Sequence, residues 1–177
     1  GGNGFIAFNF IQLMLKARHD IVSIDNLCLS SYLNHEHGNI ISDRFKFIEC
    51  DIMSHDVHEL IKKYKFDAII NFAAESHVDK SIHSSNLFID TNIKGTNNLL
   101  ASCNELIKNG ILSEQFRFIQ VSTDEVYGSL KHTEPAFTEL SILKPTNPYS
   151  ASKASADLIA MAYFNTHNSP VMVTRCS

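Results

Sequence analysis

The sequence predicts an α/β fold built on a doubly wound parallel sheet, and three observations lead to this prediction. Short apolar runs of β-like composition alternate with stretches of about 10–20 residues whose apolar positions recur at helical spacing. The 177 residues fit a single domain, and 44% apolar against 19% charged residues is enough to bury a core. Because parallel strands are joined by right-handed crossovers, a Rossmann-type arrangement is the favoured topology.

The first half of the chain alternates helices and strands. Apolar positions such as Phe5, Ile11 and Leu15 predict a helix over 5–18, and the short run that ends in Asp25 predicts a strand over 21–25. The pattern then predicts a polar, histidine-rich loop with one helical turn over 26–43, a strand over 45–49, a helix over 57–64 and a strand over 67–72.

The second half is predicted to hold two long helices and two strands. The first helix, over 86–108, ends at Asn109 and Gly110, which are typical stop residues. A strand over 116–121 leads into a proline-containing loop. A helix over 149–165 and a strand over 171–174 complete the pattern.

Both ends of the sequence resemble cut edges of a longer domain. A glycine-rich turn at residues 1–4 normally follows a buried strand, and the chain stops just after an apolar run. In a Rossmann topology the first strand lies centrally, so the second and fourth strands would each lose a neighbour. We expect a partial domain, 1–177, that lacks its first strand and folds poorly in isolation, which a sharp, dispersed proton NMR spectrum would refute.

Charge and cysteine content argue against several classes of protein. With 15 Lys and Arg against 19 Asp and Glu the net charge is −4, which disfavours nucleic-acid binding by phosphate neutralisation. No apolar run approaches the ~20 residues that span a bilayer. The four cysteines are scattered without a CxxC pair, which favours a reducing, cytoplasmic compartment.

Nine histidines raise the question of a metal site. The nearest clusters are His35-Glu36-His37 and the pair His55 and His58. Neither has zinc-site spacing with a third ligand in view. Solvated loop histidines are the favoured interpretation, and we expect no metal.

The glycine turn and the strand after it predict a dinucleotide site. Gly1, Gly4 and Ala7 form a GxxGxxA pattern at a helix start, where backbone amides and the helix dipole favour a pyrophosphate. Asp25, 21 residues beyond Gly4, could accept from both ribose hydroxyls and repel a 2′-phosphate, which favours NAD over NADP. Asp25 could instead cap a turn. Asp51 could meet the adenine or be an ordinary turn aspartate.

Two further motifs carry catalytic side chains. Tyr149 and Lys153 are four residues apart on a predicted helix, so the phenol and the ammonium share a face. Lowering a tyrosine pKa from ~10 to ~7 takes roughly 4 kcal/mol, which a nearby cation and a positive nicotinamide can supply in a low-dielectric cleft. Asp124 and Glu125 follow a strand at the carboxyl edge of the sheet, and adjacent carboxylates can divide acid and base roles. Taken singly, these motifs could be solvated helix residues and a helix cap.

Five segments occur in this order: Gly1-Gly2-x-Gly4-Phe5-Ile6, Asn71 to Asp79, Thr91-Asn92-x-x-Gly95-Thr96, Ser122 to Gly128, and Pro148 to Lys153. Together they resemble, over the whole chain, the extended short-chain dehydrogenase/reductases (NAD-dependent epimerase/dehydratase family) and among them the dTDP-glucose 4,6-dehydratases. The most specific element is Thr123-Asp124-Glu125 with Tyr149 and Lys153. UDP-glucose 4-epimerases lack the acid pair, and GDP-mannose dehydratases and UDP-glucuronate decarboxylases typically carry Ser at the position of Asp124.

The resemblance implies an NAD-dependent lyase that dehydrates a nucleoside-diphosphate glucose, with dTDP-glucose favoured. Tyr149 would take the proton of the 4-hydroxyl as hydride passes from C4 to NAD⁺, Lys153 would lower the tyrosine pKa and hold the ribose, and Thr123 would bind the 4-hydroxyl. Glu125 would then remove the C5 proton. Asp124, kept protonated by burial and its acidic neighbour, would protonate the departing 6-hydroxyl. Return of the hydride to C6 would leave a 4-keto-6-deoxy sugar.

The same matching implies a wider set of contacts. Ser76 and Thr123 would reach the sugar. The cofactor-binding residues would be Gly1, Gly4, Phe5, Ile6, Asp25, Asn26, Leu27, Cys28, Asp51, Ile52, Phe72, Ala73, Ala74, Thr91, Ser122, Tyr149 and Lys153. Several of these, such as Ile52 and Phe72, would serve equally well as core residues.

The chain departs from the family pattern in two places, and alternatives stay open. Cys28-Leu29-Ser30-Ser31-Tyr32 replaces the usual residues after Asp25-Asn26-Leu27, which weakens the expectation for Cys28. The family's C-terminal substrate domain has no counterpart, so dTDP and UDP are not distinguished. A UDP-glucose 4,6-dehydratase, a UDP-glucuronate decarboxylase or an inactive dinucleotide-binding fragment remain alternatives. We expect no turnover from the 177 residues alone, and the family implies a cytoplasmic homodimer.

Overall fold

The structure is a computed structural model that describes residues 1–28 and 40–177. Its helices are α1 (Phe5–Lys16), α2 (Asp56–Tyr64), α3 (Val78–His83), α4 (Asn86–Phe88), α5 (Thr96–Lys108) and α6 (Pro148–His167). Its strands are β1 (Ile21–Asp25), β2 (Phe45–Glu49), β3 (Ala68–Asn71), β4 (Arg117–Thr123) and β5 (Val171–Cys176). A π-helical segment, Ile89–Gly95, joins α4 to α5, and a 3₁₀ turn, Asp124–Tyr127, follows β4. Much of the predicted loop over 26–43, with the cluster His35-Glu36-His37, lies outside the described residues.

All strand pairs among the described residues are parallel. β1 pairs with β2, so that Ile21 lies opposite Phe45, and β4 lies between β3 and β5. The strands form a two-stranded sheet, β1-β2, and a three-stranded sheet, β3-β4-β5. With helices in the connections between parallel strands, the predicted α/β class is confirmed.

A cavity of about 170 Å³ lies between β1 and β3. Its walls include Ile24 of β1, Ile69 of β3, Phe10 of α1 and Ile61 of α2. Within the two described stretches, β1 pairs with β2 alone and β3 with β4 alone. This agrees with the expectation that the second and fourth strands of the topology lack a shared neighbour.

The main core packs α5 against the three-stranded sheet. Leu99, Leu100, Cys103 and Leu106 recur at helical spacing along α5 and are buried, together with Phe118 of β4. Fully burying one such side chain contributes about 1.5–3 kcal/mol, so this face fixes the helix on the sheet. The carboxyl ends of the strands are thereby held at a common edge.

Three differences from the predicted elements have local causes. The helix predicted over 86–108 contains the π segment, α1 ends at Lys16 because Arg18 adopts a left-handed φ of 66°, and β5 continues to Cys176 because that residue pairs with Thr123. The six-residue α3 was not predicted, since so short a helix produces no periodic signal. Among the described residues, no helix has both the length and the apolar character needed to cross a membrane.

Candidate active site

A cavity of about 460 Å³ opens at the carboxyl edge of the strands. Asp25 at the end of β1, Asp51 just after β2, Phe72 just after β3 and Ser122 near the end of β4 all line it. The carboxyl ends of parallel strands are the usual ligand-binding edge of such folds. The cavity is therefore the candidate site.

The structure brings most of the predicted site residues to this cavity. All the predicted cofactor residues except Leu27 line it, and so does Ser76. Thr123, Asp124 and Glu125 stand beside it, next to Tyr149. Four lining residues were not predicted: Cys50, Glu75, His77 and Val121. They lie next to predicted residues in the sequence, but their types alone gave no signal.

The glycine turn lies at one end of the cavity. A Cβ on Gly1 would collide with the backbone nitrogen of Ala73, and a Cβ on Gly2 would collide with the hydroxyl of Ser23. Close packing therefore requires both glycines. No side chain caps the N-terminus of α1 after Gly4, and Gly4 and Phe5 line the cavity. Uncapped helix amides bind phosphate oxygens, so this end of the cavity fits a dinucleotide pyrophosphate.

Asp25 is a turn-stabilising residue as well as a cavity residue. Its carboxylate accepts hydrogen bonds from the amides of Asn3 and Leu27, both at 2.9 Å. Leu27, with a φ of 52°, serves this turn and does not line the cavity. The turn-capping alternative is thus realised, and the contact of Asp25 with a ribose stays a prediction.

Asp51 likewise organises a turn. Its carboxylate accepts from the Met53 amide at 2.8 Å and from the side-chain amide of Asn26 at 3.0 Å. These bonds join the segments after β1 and β2 at the cavity. Contact of Asp51 with an adenine stays a prediction.

Helix α6 presents Tyr149 and Lys153. Asn147 caps the helix by accepting from the Ser150 amide at 2.8 Å, and Pro148 occupies the first turn, so the helix starts directly before Tyr149. Lys153 is 4% exposed and donates to the Val121 carbonyl at 2.7 Å. Burial lowers the pKa of Lys153 to about 8.

The phenol of Tyr149 lies beside the acid pair. Burial raises its pKa above the ordinary value, and the negative charges of Glu125 and Asp124 add to this effect. A hydrogen bond with the Thr123 side chain acts in the opposite direction. The expected lowering of this pKa by Lys153 stays a prediction for the enzyme with its cofactor bound.

The 3₁₀ turn presents Asp124 and Glu125. Thr123 caps this turn by accepting from the Glu125 amide at 3.2 Å, and its hydroxyl lies 3.4 Å from an Asp124 carboxylate oxygen. The side-chain amide of Asn147, the cap of α6, donates to Glu125 at 3.4 Å. The side chain of Asn147 therefore joins the N-terminus of α6 to the 3₁₀ turn Asp124–Tyr127, called the acid turn below.

Asn92 is a structural link at the site that was not predicted. It is 1% exposed, exchanges two hydrogen bonds with the backbone of Glu75 and donates to the Ser152 hydroxyl at 2.8 Å. It thereby joins the cavity loop after β3 to α6. The available signal was an amide side chain in the middle of a predicted helix. As for metals, the described residues contain no group of three His, Cys, Asp or Glu side chains suited to a metal ion.

Comparisons with known proteins identify relatives of this chain. Residues 1–177 match the family model described as GDP-mannose 4,6 dehydratase. A dTDP-glucose 4,6-dehydratase of Neisseria meningitidis serogroup B is 40% identical over 100% of this chain and 51% of its own length. The chain therefore spans about half the length of this curated relative.

Two solved structures have a similar fold. The dTDP-glucose 4,6-dehydratase of Bacillus anthracis, in complex with NAD, aligns with a TM-score of 0.82 at 43% identity and covers 100% of this chain and 53% of its own. The UDP-glucuronic acid 4-epimerase of Bacillus cereus, in complex with UDP-glucuronic acid and NAD, aligns with a TM-score of 0.85 at 26% identity, over 99% of this chain and 54% of its own. The fold is thus shared by enzymes of different reactions.

Proposed function

The chain belongs to the GDP-mannose 4,6 dehydratase family, and from that premise we propose that residues 1–177 form most of the NAD-binding, catalytic domain of a nucleotide-sugar 4,6-dehydratase. The favoured substrate is dTDP-glucose and the product a 4-keto-6-deoxy sugar. The observation that carries the proposal is the meeting of Tyr149 with Thr123, Asp124 and Glu125 at the carboxyl edge of the sheet.

The cavity residues support NAD as the cofactor. The uncapped start of α1 would hold the pyrophosphate, the Asp25 turn the adenosine ribose, and Lys153 the nicotinamide ribose. The bound cofactor would supply the hydride acceptor for C4 oxidation and the hydride donor for C6 reduction. The protein residues would supply every proton transfer.

The first chemical step rests on Tyr149 and Thr123. Thr123 would hold the sugar 4-hydroxyl, and Tyr149 would take its proton as C4 is oxidised. The buried ammonium of Lys153 is on the same helix face as Tyr149 and would stabilise the phenolate. The pKa of Tyr149 is raised by burial, so this help is required for the step at neutral pH.

The second step rests on the acid pair. The ketone at C4 acidifies the C5 proton, which Glu125 would remove and then return to C5 when the hydride adds to C6. Asp124, in its protonated form, would donate a proton to the leaving 6-hydroxyl. The hydrogen bond from Asn147 to Glu125 would orient the base.

Three alternatives use the same cavity. A UDP-glucose 4,6-dehydratase would differ only in the nucleoside of its substrate, uridine in place of thymidine, and a UDP-glucuronate decarboxylase would lose CO₂ in place of water. Asp124 argues against the decarboxylase, because that enzyme class typically carries Ser at this position. A dinucleotide-binding fragment without turnover is the third alternative.

A substrate panel separates these alternatives. The complete protein that contains these residues would be incubated with dTDP-glucose, UDP-glucose or UDP-glucuronate, while 4-keto product and CO₂ are measured. We expect 4-keto product from dTDP-glucose and no CO₂ from UDP-glucuronate. CO₂ release, or product from UDP-glucose alone, would replace the proposal by the matching alternative. Stoichiometric NAD binding without any product would favour the inactive fragment.

The role of Asp124 has its own test. Asp124→Asn is expected to slow water loss by about 10²–10⁴-fold, the usual contribution of a general acid, and to spare C4 oxidation. Transient NADH absorbance reports oxidation, and 4-keto product reports elimination. Asp67→Asn, an exposed change at the amino end of β3, serves as the control. Equal loss of both steps would contradict the assignment.

We also propose a homodimer in the cytoplasm. Leu158, Met161 and Phe164 recur every three residues along α6 and are 61%, 37% and 47% exposed, which supports an apolar helix face covered by a second copy. Sedimentation of the complete protein would give twice the monomer mass, and a monomer at micromolar concentration would refute the dimer. Cell fractionation tests the location.

A further inference from the structure

A buried ion pair lies behind the active-site residues of α6. Asp157 is fully buried and follows Lys153 by one helical turn, and its carboxylate accepts from Nε of Arg175 at 2.9 Å. Arg175 belongs to β5, where it pairs in register with Ser122, next to Thr123. A guanidinium of one element is thus fixed to the helix that carries Tyr149 and Lys153.

The same guanidinium reaches the acid turn. Its Nη1 donates to the hydroxyl of Tyr127 at 2.8 Å, and the charge lies 5.1 Å from the centre of the Tyr127 ring. Tyr127 is the last residue of the 3₁₀ turn that contains Asp124 and Glu125, and its ring stacks on Phe137. Arg175 therefore contacts both elements that carry the proposed chemistry.

A gain in the free energy of unfolding does not by itself explain the buried ion pair of Asp157 and Arg175. Buried ion pairs often contribute no more to the free energy of unfolding than apolar residues of similar volume. Their geometry, however, is specific, because the arginine fork binds two partners in fixed directions. Because the guanidinium of Arg175 binds Asp157 of α6 and Tyr127 of the acid turn, it sets the distance between these two elements.

We propose that Arg175 is a positioning residue that holds the Asp124–Glu125 turn against Tyr149 and Lys153, through Asp157 on α6 and Tyr127 on the turn. The inference rests on the proposed function for its catalytic consequence. The linkage itself, that is, the contacts of Arg175 with Asp157 and Tyr127, does not depend on that function. Lys153 is also held by the Val121 carbonyl, and Thr123 is held by the pairing of β4. Loss of the Tyr127 contact is therefore expected to displace Asp124 and Glu125 first.

Tyr127→Phe in the complete protein is the sharpest test, since it removes one hydroxyl and keeps the ring on Phe137. Hydrogen exchange of the amides in residues 124–128 is expected to become at least about tenfold faster. Water elimination is expected to slow by about tenfold while C4 oxidation changes less than about twofold, since small misplacements of reacting groups are costly. Arg175→Lys, which keeps the charge beside Asp157 and loses the fork, is expected to give the same split.

Tyr163→Phe is the matched control, because it removes the same group, a hydroxyl, from a tyrosine of α6, and that hydroxyl lies 3.4 Å from Asn97, away from the site. It should change neither exchange nor the ratio of the two steps. Unchanged exchange at 124–128 in Tyr127→Phe, or equal slowing of both steps, would overturn the positioning role. If the wild-type protein dehydrates no nucleotide sugar, the proposed function fails, and the exchange measurement alone then decides the linkage.

Discussion

The ammonium group of Lys153 is buried and donates to the Val121 carbonyl, and burial lowers its pKa to about 8 from 10.5. Below pH 8 the folded and unfolded chains both hold this proton, so the stability does not depend on pH through Lys153. Between pH 8 and 10.5 the unfolded chain keeps a proton that the folded chain has released, so the free energy of unfolding rises with pH.

Lys153→Met should remove this pH dependence. Relative to the variant, the wild-type free energy of unfolding is expected to rise by about 2–3 kcal/mol between about pH 7 and about pH 10, since one pKa unit corresponds to about 1.4 kcal/mol. Urea unfolding of the complete protein at the two pH values measures the difference. Lys108→Met, an exposed change at the end of α5, should keep the wild-type slope. The same change in the free energy of unfolding between the two pH values for wild type and Lys153→Met would contradict the prediction.

At the residue scale, local spacing was enough to place Tyr149 with Lys153 and Asp124 with Glu125, whereas their catalytic roles rest on the resemblance and stay predictions. Each pair lies on one helix or turn, so its side chains meet wherever that element is placed. The contacts of Arg175 with Tyr127, 48 positions away, and of Asn92 with Ser152, 60 positions away, depend on how the elements pack. No sequence spacing contains that information.

At the scale of elements, the start of α6 connects helix stability to the site. Asn147 accepts from the Ser150 amide, the Ser150 hydroxyl accepts from the Asn147 amide, and the Asn147 side chain also donates to Glu125. This capping box fixes the first turn, which contains Tyr149. One side chain thus positions the phenol and the proposed base.

Asn147→Ala is therefore expected to cost about 1 kcal/mol of stability, as loss of an N-cap usually does. Asn147→Ser restores a capping hydroxyl but is too short to reach Glu125. It should recover most of the stability, whereas water elimination should be slower than in the wild-type protein in both variants, because neither side chain reaches Glu125. Chemical denaturation and the product assay separate the two effects. Full recovery of both with Ser would show that the contact with Glu125 has no function.

The sequence predicted which segments are helices and strands better than it predicted irregular turns inside them. Gly110, with a φ of 67°, ends the α5 region where its stop signal predicted. The π segment Ile89–Gly95 was not predicted, since π-helical turns are rare and a regular helix is the default for such a pattern. Its buried Asn92 is held by the cavity loop and by α6, which are tertiary contacts.

At the scale of the whole molecule, alternation of strands and helices was sufficient to predict a parallel sheet. The handedness of crossovers made a Rossmann-type arrangement the favoured topology. Because a glycine turn normally follows a buried central strand, the second and fourth strands were each expected to lose a neighbour. Neither the two separate sheets nor the cavity between β1 and β3 was predicted.

The buried thiol of Cys103 tests whether the 177 residues hold their core alone. It is 3% exposed, and burial raises its pKa to about 12, so the folded core suppresses the thiolate that alkylating reagents attack. Each buried backbone group left without a partner costs about 1–3 kcal/mol, against a total stability of about 5–15 kcal/mol for a typical domain. The facing edges of β1 and β3 border a cavity, so we expect the isolated segment to open readily.

Iodoacetamide should then label Cys103 of the isolated segment at a rate within about tenfold of the exposed Cys176, which is an internal control. In the complete protein, labelling of Cys103 should be slower than in the isolated segment by several orders of magnitude, because opening is rare in a stable domain. Mass spectrometry of the two peptides over time gives both rates. Equal protection of Cys103 in the isolated segment and in the complete protein would mean that the two sheets are stable without a shared strand, and the expectation of poor folding would be wrong.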